Sequence, residues 1–269
     1  RADKIYDEIN TPFEPGPTDP PEGGGTEMAD MTNGIIEIKW LDGTSYNVSD
    51  TPNAPVTKTI SNGTMELVEF DSSSKTWVSG TEYSYTAGTG SSDNTQSKWA
   101  NAKVTINNVD SYFVWIPRYA YRIIYFDSAE SKKAYQEGTL TEADAVAQKK
   151  IIGYSDSRGI VDAQGKKIAD VASTTKTKVS EDYFMVHPAF INDVNNGGWD
   201  SELPGIWVGK YETSGTTSEL KVQPGISSLR SQTIGNMYTY SYNYARNLES
   251  HLLKNSEWGA VAYLTESKY

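Results

Sequence analysis

The 269-residue chain contains no cysteine, which excludes disulfides, thiolate zinc sites and cysteine nucleophiles. Positive charge is scarce: 24 Lys and Arg against 35 Asp and Glu leave a net charge of −11. That balance argues against holding nucleic acid or an anionic membrane through the bulk field. Only two histidines occur, His187 and His251, far apart and each beside apolar residues. A lone histidine is ordinarily a satisfied structural group, and without a nearby His or Cys a zinc ion would need carboxylates alone. No run of 18 apolar residues occurs, so no segment is expected to span a membrane. No Gly-x-Ser-x-Gly run marks a serine nucleophile, and Gly153-Tyr-Ser-Asp-Ser-Arg-Gly159 lacks the Lys-Ser/Thr ending of a phosphate loop.

Aromatic side chains, in contrast, are plentiful, with 18 Tyr and 7 Trp. Such rings supply contact area at low conformational cost on recognition surfaces, and they equally fill β-rich cores. Residues 1–10 predict a short helix with Ile5, Tyr6 and Ile9 on one face. Pro12 to Gly25 follows as a spacer, stiff where proline dominates and loose where glycine does. A short helix ahead of a spacer reads as the remnant of something longer, and the Arg1-Ala-Asp-Lys start is expected of a chain whose leader was removed.

From Asn33 to Asn108 the pattern is β. Ile36, Ile38 and Trp40 alternate with Glu37 and Lys39, and further strands are predicted at 64–70, 75–78, 82–85 and 102–106, separated by polar turns. Ser111 to Phe126 is the longest apolar stretch, read as buried strands interrupted at Pro117. Residues 127–150 predict a solvated helical insertion, and a strand is expected at 159–162. Tyr183 to Phe190 and Ile206 to Glu212 are strand-like. Thr233 to Leu253 predicts a helix with Met237, Tyr244, Leu248 and Leu252 near one face.

Two late segments carry a resemblance. Trp207-Val-Gly-Lys-Tyr-Glu-Thr213 and Asn255-Ser-Glu-Trp-Gly-Ala-Val-Ala262, separated by the predicted helix, resemble the core of the formylglycine-generating-enzyme family, a branch of the C-type-lectin-like fold. His251-Leu-Leu-Lys254 stands where that family usually has Arg-Leu-Pro. The set Phe113-Val-Trp-Ile-Pro-Arg-Tyr119, Val186-His-Pro-Ala-Phe190, Gly205 to Glu212 and Lys254 to Leu264 is similar to Gram-positive bacterial and prophage surface proteins. Many of those carry prepilin-type N-termini. The resemblance implies a structural core motif of Trp207, Gly209, Tyr211, Glu212, Glu257 and Trp258. It also implies a second half that this chain does not contain, so the lectin-like fold is expected to be incomplete at Tyr269.

Two constellations are weighed as sites. Glu212 and Glu257 could form a buried carboxylate pair suited to acid–base work, or each could cap amides or pair with a cation. Asp193, Asn195 and Asp200 in the Asn192–Asp200 loop offer hard oxygens suited to Ca²⁺. An EF-hand register from Asp193 fails, because Pro204 takes the twelfth position, and Asx/Gly clusters also make plain tight turns.

The expected fold class is therefore α+β and β-rich: a linker over 1–32, a small β-sandwich-like spacer over 33–110 and a C-type-lectin-like domain over 111–269. The expected function is a non-catalytic extracellular surface subunit, pilin-like or adhesin-like, with self-assembly or cell-surface protein or carbohydrate as partner. No cofactor is expected, apart from Ca²⁺ in the loop. A prophage tail receptor-binding protein and an enzyme with altered chemistry on this fold remain the alternatives.

Overall fold

The computed structural model describes residues 34–88, 97–126, 128–140, 149–152, 154–155, 160–161, 167–169, 177–178 and 184–269. The helix and spacer expected within 1–32 lie outside the described residues. Within them the protein is β-rich α+β, with three α-helices and several antiparallel sheets.

Alternation sets the first strand. In β1 (Gly34–Trp40) Ile36, Ile38 and Trp40 are buried while Glu37 and Lys39 are half-buried, the period-two signature of a one-sided strand. It pairs antiparallel along its length with β6 (Tyr119–Phe126), with Ile38 opposite Tyr121. The other edge of β6 takes both β12 (Phe184–Val186) and β7 (Lys149–Ile152). This six-stranded sheet continues through β9 (Ile160–Val161) to β10 (Lys167–Ala169). A second, five-stranded sheet runs β13 (Gly205–Gly209), β5 (Val109–Pro117), β4 (Asn101–Ile106), β2 (Gly63–Asp71), β3 (Thr76–Ser79). Two ribbons complete the pairing: β8 (Tyr154–Ser155) with β11 (Thr177–Lys178), and β14 (Ser214–Thr216) with β15 (Glu219–Lys221). The segment expected as a strand at 82–85 contributes a single bridge, Ser84 to Lys98.

The break expected at Pro117 is where the chain changes sheets: β5 ends at Pro117, β6 begins at Tyr119, and only Arg118 lies between. A boundary at residue 110 would fall inside β5, and both sheets pair strands from either side of it. The main core likewise draws on both sides. Ile36, Ile38 and Trp40 pack with Tyr119, Tyr121, Met185, Phe190, Ala260 and Leu264.

Arg118 is fully buried. Its Nη1 donates to the Phe190 carbonyl at 2.6 Å and pairs with Glu202 at 2.6 Å, and its Nε donates to the Ser45 carbonyl at 3.2 Å. Tyr46 lies under the guanidinium, 5.1 Å from ring centre to Cζ, and its hydroxyl donates to Glu202 at 2.9 Å. The Arg118 backbone adds two more ties, donating to the Pro204 carbonyl and accepting from the Leu41 N–H. Burial and the Glu202 charge together push the Tyr46 phenol up to about 12.

The helices are short. α1 (Ala129–Gln136) begins at Ser128, whose hydroxyl accepts from the Ser131 N–H. α2 (Ile234–Tyr244) begins at Thr233, which accepts from the Asn236 N–H. The helix expected to reach Leu253 stops nine residues earlier, and Tyr238 is its buried residue. Ser250 explains the stop: its hydroxyl accepts from the Ala245 N–H and donates to the Ser241 carbonyl, while Glu249 turns the backbone at φ +58°. α3 (Asn255–Thr265) packs its Ala260 and Leu264 into the main core. Its following residues return to the first strand: Ile36 N–H donates to the Glu266 carbonyl, and the Tyr269 ring sits 4.8 Å from Trp40.

Removing one partner of a buried ion pair costs about 3–5 kcal/mol, whereas an exposed pair contributes roughly 0–1 kcal/mol. Arg118→Ala is therefore expected to cost about 3–5 kcal/mol of unfolding free energy, read as a clearly lower urea midpoint. Lys98→Ala, which breaks the exposed Lys98–Glu82 pair, is expected to leave the midpoint nearly unchanged.

Candidate functional site

The C-terminal helix carries a carboxylate where water would normally be required. Glu257 sits in the first turn of α3 and is 2% exposed. Its Oε2 accepts from the Lys254 N–H at 2.8 Å, the return half of a capping box. The lysine ammonium has no lone pair, so it cannot supply the forward half. Position also helps, since a negative charge in the first helical turn is favoured by the helix dipole.

His251 supplies the counter-charge. Its Nε2 lies 3.0 and 2.9 Å from the two Glu257 oxygens, and its Nδ1 lies 2.6 Å from the Glu249 carbonyl. A carbonyl and an ionised carboxylate only accept, so this geometry favours the imidazolium, which carries hydrogen on both ring nitrogens. Burial on its own lowers the His251 pKa, but the hydrogen bond and charge of Glu257 outweigh it and the net shift is upward.

The Asn192–Asp200 loop docks on this pair. Trp199 meets the His251 ring edge-on at 5.0 Å, and Lys254 Nζ stands 3.5 Å over the Trp199 ring while donating to the Gly198 carbonyl at 2.9 Å. Trp199 Nε1 donates to the Ala189 carbonyl, and the Ser256 hydroxyl donates to the Gly197 carbonyl. Burial lowers the Lys254 pKa, with Glu257 and Asp200 opposing it. Gly198 is required where it stands, because a Cβ there would lie 2.4 Å from the Ile191 carbonyl oxygen.

The residues expected to form a site separate into three groups. Glu257 is buried in the His251 pair, but Glu212 is exposed, so the two do not make a buried carboxylate pair. Trp207 lies on β13, donating its indole N–H to the Val56 carbonyl and packing 5.2 Å from Trp115. Gly209 ends that strand, and Tyr211 meets Tyr112 edge-on at 6.4 Å. Trp258, beside the buried Glu257, is 63% exposed.

Asp193, Asn195 and Asp200 occupy the docked loop, whose chain closes on itself: the Gly198 N–H donates to the Asp193 carbonyl, and the Asp193 and Trp199 N–H groups donate to the Ile191 carbonyl. Among the described residues no three His, Asp or Glu side chains are placed to hold a metal. The Lys254 ammonium lies on this loop, at the Gly198 carbonyl.

The importance of His251 and Arg118 went unread in the sequence. The available signal for His251 was a basic side chain six residues ahead of Glu257, standing where the resembled family has arginine. Arg118 was visible inside Phe113–Tyr119 but had no partner nearby in sequence, since Glu202 lies 84 positions on.

Comparison with protein-family models, with curated proteins and with solved structures finds no match to this chain.

The raised His251 pKa fixes the sign of a pH dependence. The imidazolium's contribution to stability is complete below the ordinary histidine value of 6.5 and is lost as pH rises through the raised folded-state value. Melting temperature is therefore expected to fall as pH climbs from 6.5 through that folded value, and to level off above it. In His251→Gln this component of the fall is expected to disappear; a wild-type and variant with identical pH profiles would refute the pairing.

Proposed function

We propose that the chain is a non-catalytic extracellular surface subunit, pilin-like or adhesin-like, which displays a C-type-lectin-like domain for assembly or ligand binding. The four-segment resemblance to Gram-positive and prophage surface proteins points to this reading, and one observation carries it. Glu257, the buried member of the carboxylate pair weighed for acid–base work, is committed to holding the fold. Both His251 nitrogens face acceptors, and Glu257 is engaged by His251 and by the Lys254 amide.

The same reading needs no metal, because the loop that would hold Ca²⁺ is tied down by Lys254, Ser256 and Trp199 instead. Adding EDTA is expected to leave the melting temperature unchanged, and a chelator-induced drop would return the Asp193–Asp200 loop to the metal sites. Location is checked by immunogold labelling of cells whose genome encodes the chain. Label on the outer surface or on filaments is expected, while label confined to the cytoplasm would overturn the proposal. Label on phage tails would favour the receptor-binding alternative. Glu257→Gln is expected to destabilise the fold by about 3 kcal/mol, read from chemical denaturation; an unchanged midpoint would free the pair for chemistry.

A further inference from the structure

At the end of the five-stranded sheet away from Arg118, four pieces of chain enclose a cavity of about 220 Å³. They are the turn before β2, the β4–β5 turn, the β14–β15 ribbon and α2. Asn62, Asn107, Glu219, Tyr240, Asn243 and Tyr244 contribute to its lining. We propose that this cavity binds one neutral sugar ring, a hexose or N-acetylhexosamine unit of a glycan.

Size and chemistry both favour that class. The volume is below the 300–1,000 Å³ typical of drug-sized sites, which suits a single ring. Three amide side chains line it; Asn62 and Asn107 carry donors and an acceptor together, as a ligand covered in hydroxyl groups demands, and Asn243, its oxygen held by Arg246, offers its N–H groups. Tyr240, Asn243 and Tyr244 fall at i, i+3 and i+4, so α2 presents all three on one face, and the two tyrosines offer ring surface for a sugar's C–H groups. No Lys or Arg lines the cavity, and the carboxylate of Glu219 is matched by Lys221 at 2.8 Å. A phosphate or carboxylate ligand would therefore meet no cation in the wall.

Two further observations point to a formed site. The Tyr244 phenol oxygen is buried without a well-formed hydrogen bond, the Ser111 hydroxyl being its near polar neighbour. Burial raises its pKa and keeps the O–H intact, while the approach of the Ser111 hydroxyl lowers it. Such a group is a rarity in a finished structure and is satisfied by a ligand or ordered water. The walls are also pre-set by backbone. Asn107 and Asn108 both have positive φ, +51° and +62°, which makes the β4–β5 connection a two-residue type I′ turn. Gly215, inside β14, sits at φ +89°, and a Cβ there would lie 2.3 Å from the Glu219 carbonyl oxygen, so glycine permits the close β14–β15 pairing. Arg246 holds the Asn243 Oδ1, which fixes the orientation of that amide.

This inference rests on the ligand-binding part of the function proposed above. The test is an amide NMR titration of the full chain with glucose, galactose, mannose, N-acetylglucosamine and N-acetylgalactosamine at millimolar concentrations. At least one sugar is expected to shift amides of 107–109 and 240–244, with a millimolar Kd that weakens at least tenfold in both Tyr240→Ala and Asn243→Ala. These two side chains are partly or fully exposed, and an unchanged amide spectrum elsewhere verifies that the variants fold. Absence of shifts with all five sugars, shifts confined to other residues, or binding that survives both substitutions would each overturn it. Stronger shifts from inorganic phosphate than from any sugar would overturn it too. Sugar binding by a protein labelled only in the cytoplasm would reject the surface role and keep the pocket. Surface label without sugar binding would do the reverse.

Discussion

The arrangement of the two large sheets depends on what happens at one residue. β5 and β6 are consecutive strands, yet they belong to different sheets, so the chain must leave one hydrogen-bonded ladder and enter another within a single position. Arg118 occupies that position, and its side chain reaches carbonyls that come from three other parts of the chain. A strand could satisfy its neighbours with backbone alone, but a junction cannot, because the surrounding loops expose carbonyls with no ladder partner. A guanidinium with five donors in a fixed fork is the side chain best suited to collect them. Glu202 then balances its charge, and the Tyr46 ring covers the guanidinium.

Local pattern was enough to find most strands. β1, β2, β4 and β13 alternate or run apolar between polar turns, and Pro117 marked the interruption between β5 and β6. Partnership was not legible, because it is decided by residues far apart. Nothing in Gly34–Trp40 says that it will pair with Tyr119–Phe126 rather than with β2, its nearer neighbour in sequence. The same distance hides the core: the sequence reading placed β1 and the C-terminal helix in separate domains, whereas both bury side chains in one cluster. The overlong helix had a different cause. Its apolar spacing continued past Tyr244, but a single serine hydroxyl satisfied the helix end and won over periodicity.

The two histidines show how surroundings assign opposite roles to one residue type. His251 faces only acceptors and is held charged. His187 accepts the Ala189 N–H at Nδ1, which leaves that nitrogen without hydrogen, and its ring lies among Tyr119, Tyr121, Phe190 and Tyr263. One is a salt link at a helix start, the other a core ring. Each stabilises the contact of α3 with its neighbours, the first through the docked loop and the second beneath Gly259, where a Cβ would come within 3.5 Å of the imidazole.

The return of the last helix to the first strand governs how this protein can acquire its structure. Ile36, Ile38 and Trp40 find much of their cover in residues 255–269, so a growing chain holds an unfinished apolar strand until more than 200 further residues have emerged. Long-range closure of this kind makes folding slow, and the uncovered apolar face of β1 is open to wrong partners in the meantime. A polypeptide kept extended until all of it is available, as during export across a membrane, avoids that interval. A chain folding from its N-terminus in stages meets it in full.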